Sequence, residues 1–151
     1  MNVGDICVHN VVTVLEHDEL TTAARVMREQ HVGYLVVVMQ KVGETGFLPI
    51  GVLTDRDIVV SVVAQATDPA SLQVGDLMSR HPVVIEQSAP LSKALQEMRR
   101  TGVRRLPVVD RGGLLVGILS LDDVVGTLSD ELLDVAAATR TEVRMEKALR
   151  A

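Results

Sequence analysis

Gly51-Val52-Leu53-Thr54-Asp55-Arg56-Asp57-Ile58 and Gly117-Ile118-Leu119-Ser120-Leu121-Asp122-Asp123-Val124 carry one pattern twice, 66 positions apart. A glycine and two apolar residues lead to a hydroxyl, and an aspartate stands three positions beyond it. Upstream the repetition continues at an offset of 71, where Val3-Gly4-Asp5 answers Val74-Gly75-Asp76. Twelve of the 36 pairs from Val3 to Val38 are identical, among them Leu20/Leu91, Ala23/Ala94, Met27/Met98, Val32/Val103 and Leu35/Leu106. A repeat of this length means two copies of one supersecondary unit.

Each unit reads as β-α-β-β-α. A short β-branched strand comes first, Val11-Val12-Thr13-Val14 in one copy and Val83-Val84-Ile85 in the other. A helix follows, because Leu20, Ala23, Ala24 and Met27 fall at i, i+3, i+4 and i+7, as do Leu91, Ala94, Leu95 and Met98; each set makes one apolar stripe. Ser88 and Pro90 supply start signals for the second of these helices. Next come Leu35 to Met39 and Ile50 to Leu53, matched by Leu106 to Val109 and Leu114 to Leu119. Such continuous apolar runs predict strands buried on both faces. Gly112-Gly113 turns the chain between them in the second copy, whereas the first has a longer, mobile-looking loop, Gln40–Pro49. A second helix closes each unit, over Asp55 to Ala64 and Leu121 to Leu128.

The chain thus divides into a first repeat (1–66), a linker with Asp68-Pro69 (67–72), a second repeat (73–128) and a tail (129–151). Strands alternating with helices place the fold in the α/β (α+β) class. Neither half covers its own sheet, so the two should pack face to face about a pseudo-twofold axis. The tail is expected as an additional C-terminal helix. Asp130, Glu131 and Asp134 early, with Arg140, Arg144, Lys147 and Arg150 late, complement its dipole. Leu132, Val135, Ala136, Val143 and Leu149 give it a loose apolar face suited to packing or dimerisation.

Composition removes several function classes. With 151 residues, 47% of them hydrophobic, the chain can bury one ordinary core. A net charge of −5 without a Lys/Arg block argues against a nucleic-acid surface. Tyr34 and Phe47 are the only aromatic residues, too few for a base-stacking platform. Cys7 is the single cysteine, which suits a reducing cytoplasm. Asp5 and His9 stand where a signal peptide needs an apolar run. The longest apolar stretch, Val32 to Met39, is far short of the roughly 20 residues that span a bilayer. The expectation is a cytoplasmic protein without membrane insertion.

No GxxxxGK[ST] loop or GxGxxG fingerprint occurs. His9, His17, His31 and His81 lack metal-ligand spacing, and Cys7 has no base beside it in sequence. Asp55 and Asp57, two apart at a helix start, suit the cap and the solvent rather than a metal. Neither a metal site nor a catalytic residue is expected, and the chain does not read as an enzyme.

Thr54-x-x-Asp57 and Ser120-x-x-Asp123 admit two readings. A hydroxyl at the N-cap and an acid at N3 make a capping box, which steadies a helix start for purely local reasons. A helix N-terminus after a strand end also offers free N–H groups to phosphate, while the carboxylate can accept from both ribose hydroxyls. Arg104-Arg105 enters the apolar strand Leu106-Pro107-Val108-Val109. Two guanidiniums there suit an anion such as phosphate; they also suit solvent, or a salt bridge to Asp122 or Asp123.

The doubled pattern, with Gly-Val-Leu-Thr-Asp-Arg-Asp-Ile and Val-Arg-Arg-Leu-Pro-Val-Val-Asp before Val-Gly-Ile-Leu-Ser-Leu-Asp-Asp-Val, resembles a tandem pair of CBS domains, the Bateman module, of the stand-alone bacterial type. The resemblance covers residues 3 to 128. It implies two clefts between the repeats that take an adenosine-containing ligand: AMP, ADP, ATP or S-adenosylmethionine. It also implies a homodimer, which either acts alone or docks onto a separately encoded enzyme or transporter. Carried over, the first cleft would use Asp57 for ribose and Thr54, Arg104 and Arg105 for phosphate, with Val52, Pro82 and Val83 framing the adenine. The second would use Ser120 and Asp123, with Val12 and Ile118 along the base. Gly33-Tyr34 replaces the arginine pair there and Asp122 replaces Arg56, so without a compensating cation the second cleft is expected to hold anions less well. The alternative is a nucleotide-free dimerisation or protein-interaction module whose motifs are helix caps.

Overall fold

The computed structural model describes residues 1–150. A short helix, α1 (Val3–Ile6), precedes the first unit: β1 (Thr13–Leu15), α2 (Leu20–Gln30), β2 (Tyr34–Gln40), β3 (Phe47–Thr54) and α3 (Asp55–Ile58). The second unit follows the same plan: α4 (Val74–Leu77), β4 (Ser79–Arg80), β5 (Ile85–Glu86), α5 (Leu91–Thr101), β6 (Arg105–Val109), β7 (Leu115–Ser120) and α6 (Leu121–Arg150). In each, the first core strand pairs in parallel with the strand after the helix, β1 with β2 and β5 with β6. A hairpin then adds the antiparallel strand, β3 or β7. The sheets run β1-β2-β3-β4 and β5-β6-β7.

The apolar patterning accounts for these elements. Leu20, Ala23 and Met27 are the buried residues of α2, and Leu91, Ala94 and Met98 those of α5. Both helices end on a left-handed residue at equivalent positions, His31 (φ 55°) and Gly102 (φ 71°), whose N–H groups return to the Met27 and Met98 carbonyls. Leu35 faces Leu53 across one hairpin and Leu106 faces Leu119 across the other. All four are fully buried, and truncating one to alanine would cost about 2–5 kcal/mol.

The repeats exchange their lead-in segments. Val3 and Cys7 belong to the core of Ile85, Leu106, Leu119 and Val124. Val74 and Met78 belong to the core of Val14, Leu35, Leu53 and Val62. Val3 and Gly4 donate to the Ala89 and Gln87 carbonyls, and Val74 and Gly75 donate to those of Asp18 and Glu16. Beyond the short helices, Val8 pairs with Ile118 while Ser79 pairs with Val52. These contacts are related by the offsets of the repeat, so the pseudo-twofold axis is physical. Four-residue helices carry too little periodicity to be read from sequence, and the reading above omits α1 and α4.

Several element bounds differ from expectation. The second helix and the tail are one helix, α6, of 30 residues, because no glycine C-cap or proline interrupts the chain between Leu128 and Asp130. The corresponding helix of the first repeat keeps α geometry only for Asp55–Ile58 and continues as a π-helix, Val59–Val63. Strand β5 holds only Ile85–Glu86, since Pro82 and Val83 belong to the lead-in. Strands β2 and β3 extend into the expected loop, reaching Gln40 and Phe47. Among the described residues no helix is long and apolar enough to cross a membrane.

Candidate functional site

Both repeated motifs sit where the last strand of a repeat enters a helix. Ser120 ends β7, and its N–H donates to Asp123 Oδ2 at 2.9 Å while the Asp123 N–H donates to Ser120 Oγ at 3.1 Å. The Ser120 hydroxyl donates to the same carboxylate oxygen. Thr54 and Asp57 reproduce this reciprocity, at 2.9 and 3.1 Å. Each pair is therefore a closed capping box. Each aspartate still keeps Oδ1 without a protein partner among the described residues. The helices behind the boxes differ, since Ser120 opens 30 residues of α-helix and Thr54 only four before the π-helix.

A cavity of about 270 Å³ lies between the repeats at the Ser120 motif. One wall is the first lead-in, with Asn10, Val11 and Val12; a second is the turn from His31 to Tyr34; Ile118, Ser120 and Asp123 form the third. This size is near the lower end for small-molecule sites. The cavity unites all four residues assigned to the second cleft, Val12, Ile118, Ser120 and Asp123, and adds Arg105 to them. The guanidinium carbon of Arg105 lies 5.7 Å from the centroid of the Tyr34 ring, within range of a cation–π contact. The second cleft is thus not without a cation, contrary to expectation. Arg105 stands directly across the hairpin from Ser120, a register that sequence alone does not give.

The residues assigned to the first cleft are distributed differently. Val52 pairs with Ser79, and the His81 N–H donates to the Ile50 carbonyl, which brings Pro82 and Val83 past β3. Arg104 turns to its own repeat and meets Asp122 at 3.2 Å, with both side chains 70% exposed. That is the salt bridge named above as one reading of the arginine pair, and its exposure limits it to about 0–1 kcal/mol. Among the described residues no hydrogen bond or ion pair joins Arg104 or Arg105 to Thr54 or Asp57. At Gly33, the position equivalent to Arg104, a Cβ would lie 2.5 Å from an oxygen of the exposed Asp55 carboxylate.

Burial pushes the Tyr34 phenol up to about 12, with the charge of Arg105 pulling the other way. Burial likewise raises the Cys7 thiol, leaving it a packing residue rather than a nucleophile. Among the described residues no cluster of three or more His, Cys, Asp or Glu side chains could hold a metal. Asn10 and His31 line the cavity without having been assigned to a cleft from the sequence, and Tyr34, read there only as a replacement for an arginine, lines it too. The offset of 71 carries the assigned Arg105 onto Tyr34, but it carries only His81 and Gly102 onto Asn10 and His31, so the repeat gives no signal for those two.

A family model described as "CBS domain" matches residues 3–64 and 74–130. The CBS domain-containing protein YhcV of Bacillus subtilis is 37% identical over 131 residues, 86% of this chain and 88% of that protein. Hypoxic response protein 1 of Mycobacterium tuberculosis is 34% identical over 133 residues, 88% of this chain and 85% of that one. The solved structure of a hypoxic response protein I with two coordinated zinc ions superposes with a TM-score of 0.69 at 33% identity, over 83% of this chain and 97% of that one. CBS domain protein PAE2072 from Pyrobaculum aerophilum, solved in complex with AMP, superposes with a TM-score of 0.69 at 25% identity, over 82% and 89% of the two chains.

Proposed function

The chain belongs to the CBS-domain family, as a pair of repeats that is regulatory and not catalytic, and from that premise we propose that it senses an adenosine-containing nucleotide in the cleft between the repeats. The observation that carries the reading is the cavity at the Ser120 motif. It offers apolar walls from Val12 and Ile118, an unpartnered carboxylate oxygen on Asp123 and a guanidinium on Arg105. Asp123 accepts from the ribose hydroxyls, Val12 and Ile118 flank the adenine, and Ser120 with Arg105 faces the phosphate. AMP bound to PAE2072 supports the ligand class, with ADP, ATP and S-adenosylmethionine as further candidates. Thr54, Asp57, Val52, Pro82 and Val83 form the equivalent cleft, with Arg104 released from its exposed pairing. Such a sensor would work as a homodimer upon a separately encoded cytoplasmic enzyme or transporter.

A thermal-shift screen with these four ligands, run beside Asp57→Ala and Asp123→Ala, tests the reading. A ligand at 100 times its Kd adds about 2.7 kcal/mol, or about 5–10 °C for a chain of this size. A rise that disappears in Asp123→Ala places the ligand at the Ser120 motif, and one that disappears in Asp57→Ala places it at the Thr54 motif. The closure of both capping boxes favours a second reading, a nucleotide-free interaction module. That reading predicts no shift with any ligand and only the loss of a cap, about 0.5–2 kcal/mol, in either variant.

A further inference from the structure

Beyond Val124 no residue of α6 belongs to either buried core, and from Leu128 to Arg150 every residue except Ala136 is exposed. That is about 34 Å of helix at 1.5 Å per residue. Helices in proteins owe most of their stability to packing an apolar face, and among the described residues nothing packs on this one. At about 100° per residue, Val125, Leu128, Leu132, Ala136 and Val143 fall on one stripe, with Thr139 inside it and Asp122 on its flank. Leu132 is 69% exposed and Val143 47%. The stripe begins on the body of the molecule and runs out along the free part of the helix, ending where Glu146 and Arg150 take its place.

Charge separates along the same helix. Residues 129–138 carry Asp130, Glu131 and Asp134 and no base, whereas 139–150 carry Arg140, Arg144, Lys147 and Arg150 against Glu142 and Glu146. We infer that a second copy of this chain covers the stripe, the two α6 helices lying side by side and antiparallel. Each acidic half then faces a basic half and the helix dipoles oppose, while a parallel pair would set the two acidic halves together. The stripes match with Val125 opposite Val143 of the second copy and Leu132 opposite its Ala136, small against large so that the helices approach closely. The same register carries Lys147 of each helix past Asp122 of the other. The proposal takes the homodimer from the reading above and is independent of its nucleotide. A single helix seam falls short of the roughly 1,200 Å² at which stable interfaces begin, so the pair forms reversibly and parts on heating before the cores melt.

Sedimentation equilibrium of the full chain over a wide range of concentration tests this. The chain should pass reversibly from monomer to dimer. Leu132→Asp should weaken the dimer about tenfold or more, and a chain ended after Leu128 should stay monomeric. Leu149→Asp, at a position 86% exposed and off the stripe, should match wild type within about twofold. In a Cys7→Ala background, Val125→Cys mixed with Val143→Cys should give a mixed disulfide under mild oxidation, and Val143→Cys alone should not link to itself. A shortened chain that dimerises like the full one would place the contact on the repeats, overturning the proposal while keeping the homodimer. A full chain that stays monomeric throughout would overturn both. Self-linking of Val143→Cys would overturn the antiparallel order. Binding to anionic phospholipid vesicles that Leu132→Asp abolishes, without self-association, would give the stripe to a membrane surface instead.

Discussion

An alanine at Gly117 would place its Cβ 2.7 Å from Cys7 Sγ and 3.1 Å from the Val8 carbonyl oxygen. Both neighbours belong to the lead-in of the other repeat, which crosses β7 here and pairs Val8 with Ile118. The thiol is short and buried, so it has little room to turn aside, and the backbone oxygen has less. Overpacking of this kind costs about 1–3 kcal/mol, equivalent to a fall in Tm of about 2–12 °C at this chain length. Cys7→Ala removes Sγ and leaves a Cβ at an ordinary 3.5 Å, although the carbonyl contact remains. The alanine at 117 should therefore cost less in the Cys7→Ala background, by about 0.5 kcal/mol or more. Urea unfolding followed by far-ultraviolet circular dichroism of the four chains gives the coupling directly. Equal costs in both backgrounds would refute the steric account. Since Val8 and its successors line the cavity, Gly117→Ala should also disturb AMP binding at Ser120 more than Gly51→Ala does. In the latter the new Cβ meets Met78 Sδ and the Ser79 carbonyl at 2.8 and 3.1 Å, beside the other motif.

Tyr34 is the only tyrosine, so its ionisation can be read from phenolate absorbance; its midpoint should lie near 12 and rise further in Arg105→Ala, which removes the charge that lowers it. A phenol raised in the folded state contributes stability that is intact below its unfolded value of about 10 and is lost as pH climbs to about 12. Thr54→Ala and Ser120→Ala each remove the acceptor of an N-cap bond and should each cost about 0.5–2 kcal/mol by urea titration. Ending the chain after Leu128 removes no member of either buried core, so Tm should move by no more than about 2 °C; a larger fall would mean that the apolar face of α6 is packed in an assembly.

The repeat, its strand and helix order and the two motifs were legible because each rests on local spacing. Leu20, Ala23 and Met27 make a helix stripe whatever lies opposite, and the paired aspartates make boxes with neighbours three residues away. The exchange of lead-ins was not legible, since nothing in Val3-Gly4-Asp5 says which repeat it will cap. For the same reason Arg105 was assigned beside Arg104. Arg104 precedes β6 while Arg105 opens it, and here one reaches Asp122 while the other reaches Tyr34. The continuity of α6 was missed because the charge pattern of its second half suits an independent helix as well as the end of a long one.

The two kinds of position also explain where the repeats match and where they differ. Val3/Val74, Gly4/Gly75 and Asp5/Asp76 are identical and face the same task twice. Each glycine passes close to a backbone carbonyl of the opposite repeat, Gln87 at 3.1 Å or Glu16 at 3.2 Å, and each aspartate closes a box on the residue before its helix. Residues on the axis meet their own equivalents instead, so identity there juxtaposes like with like. Two arginines at 34 and 105 would bring guanidiniums together where a ring now accepts one of them, and repulsion between like charges at such range is relieved only by an anion or by salt. Tyr34→Arg should therefore lower Tm at low ionic strength, and salt or AMP should restore it by more than either raises wild type. A variant as stable as wild type in dilute buffer, with no added response to salt or AMP, would mean that positions 34 and 105 do not share the axis.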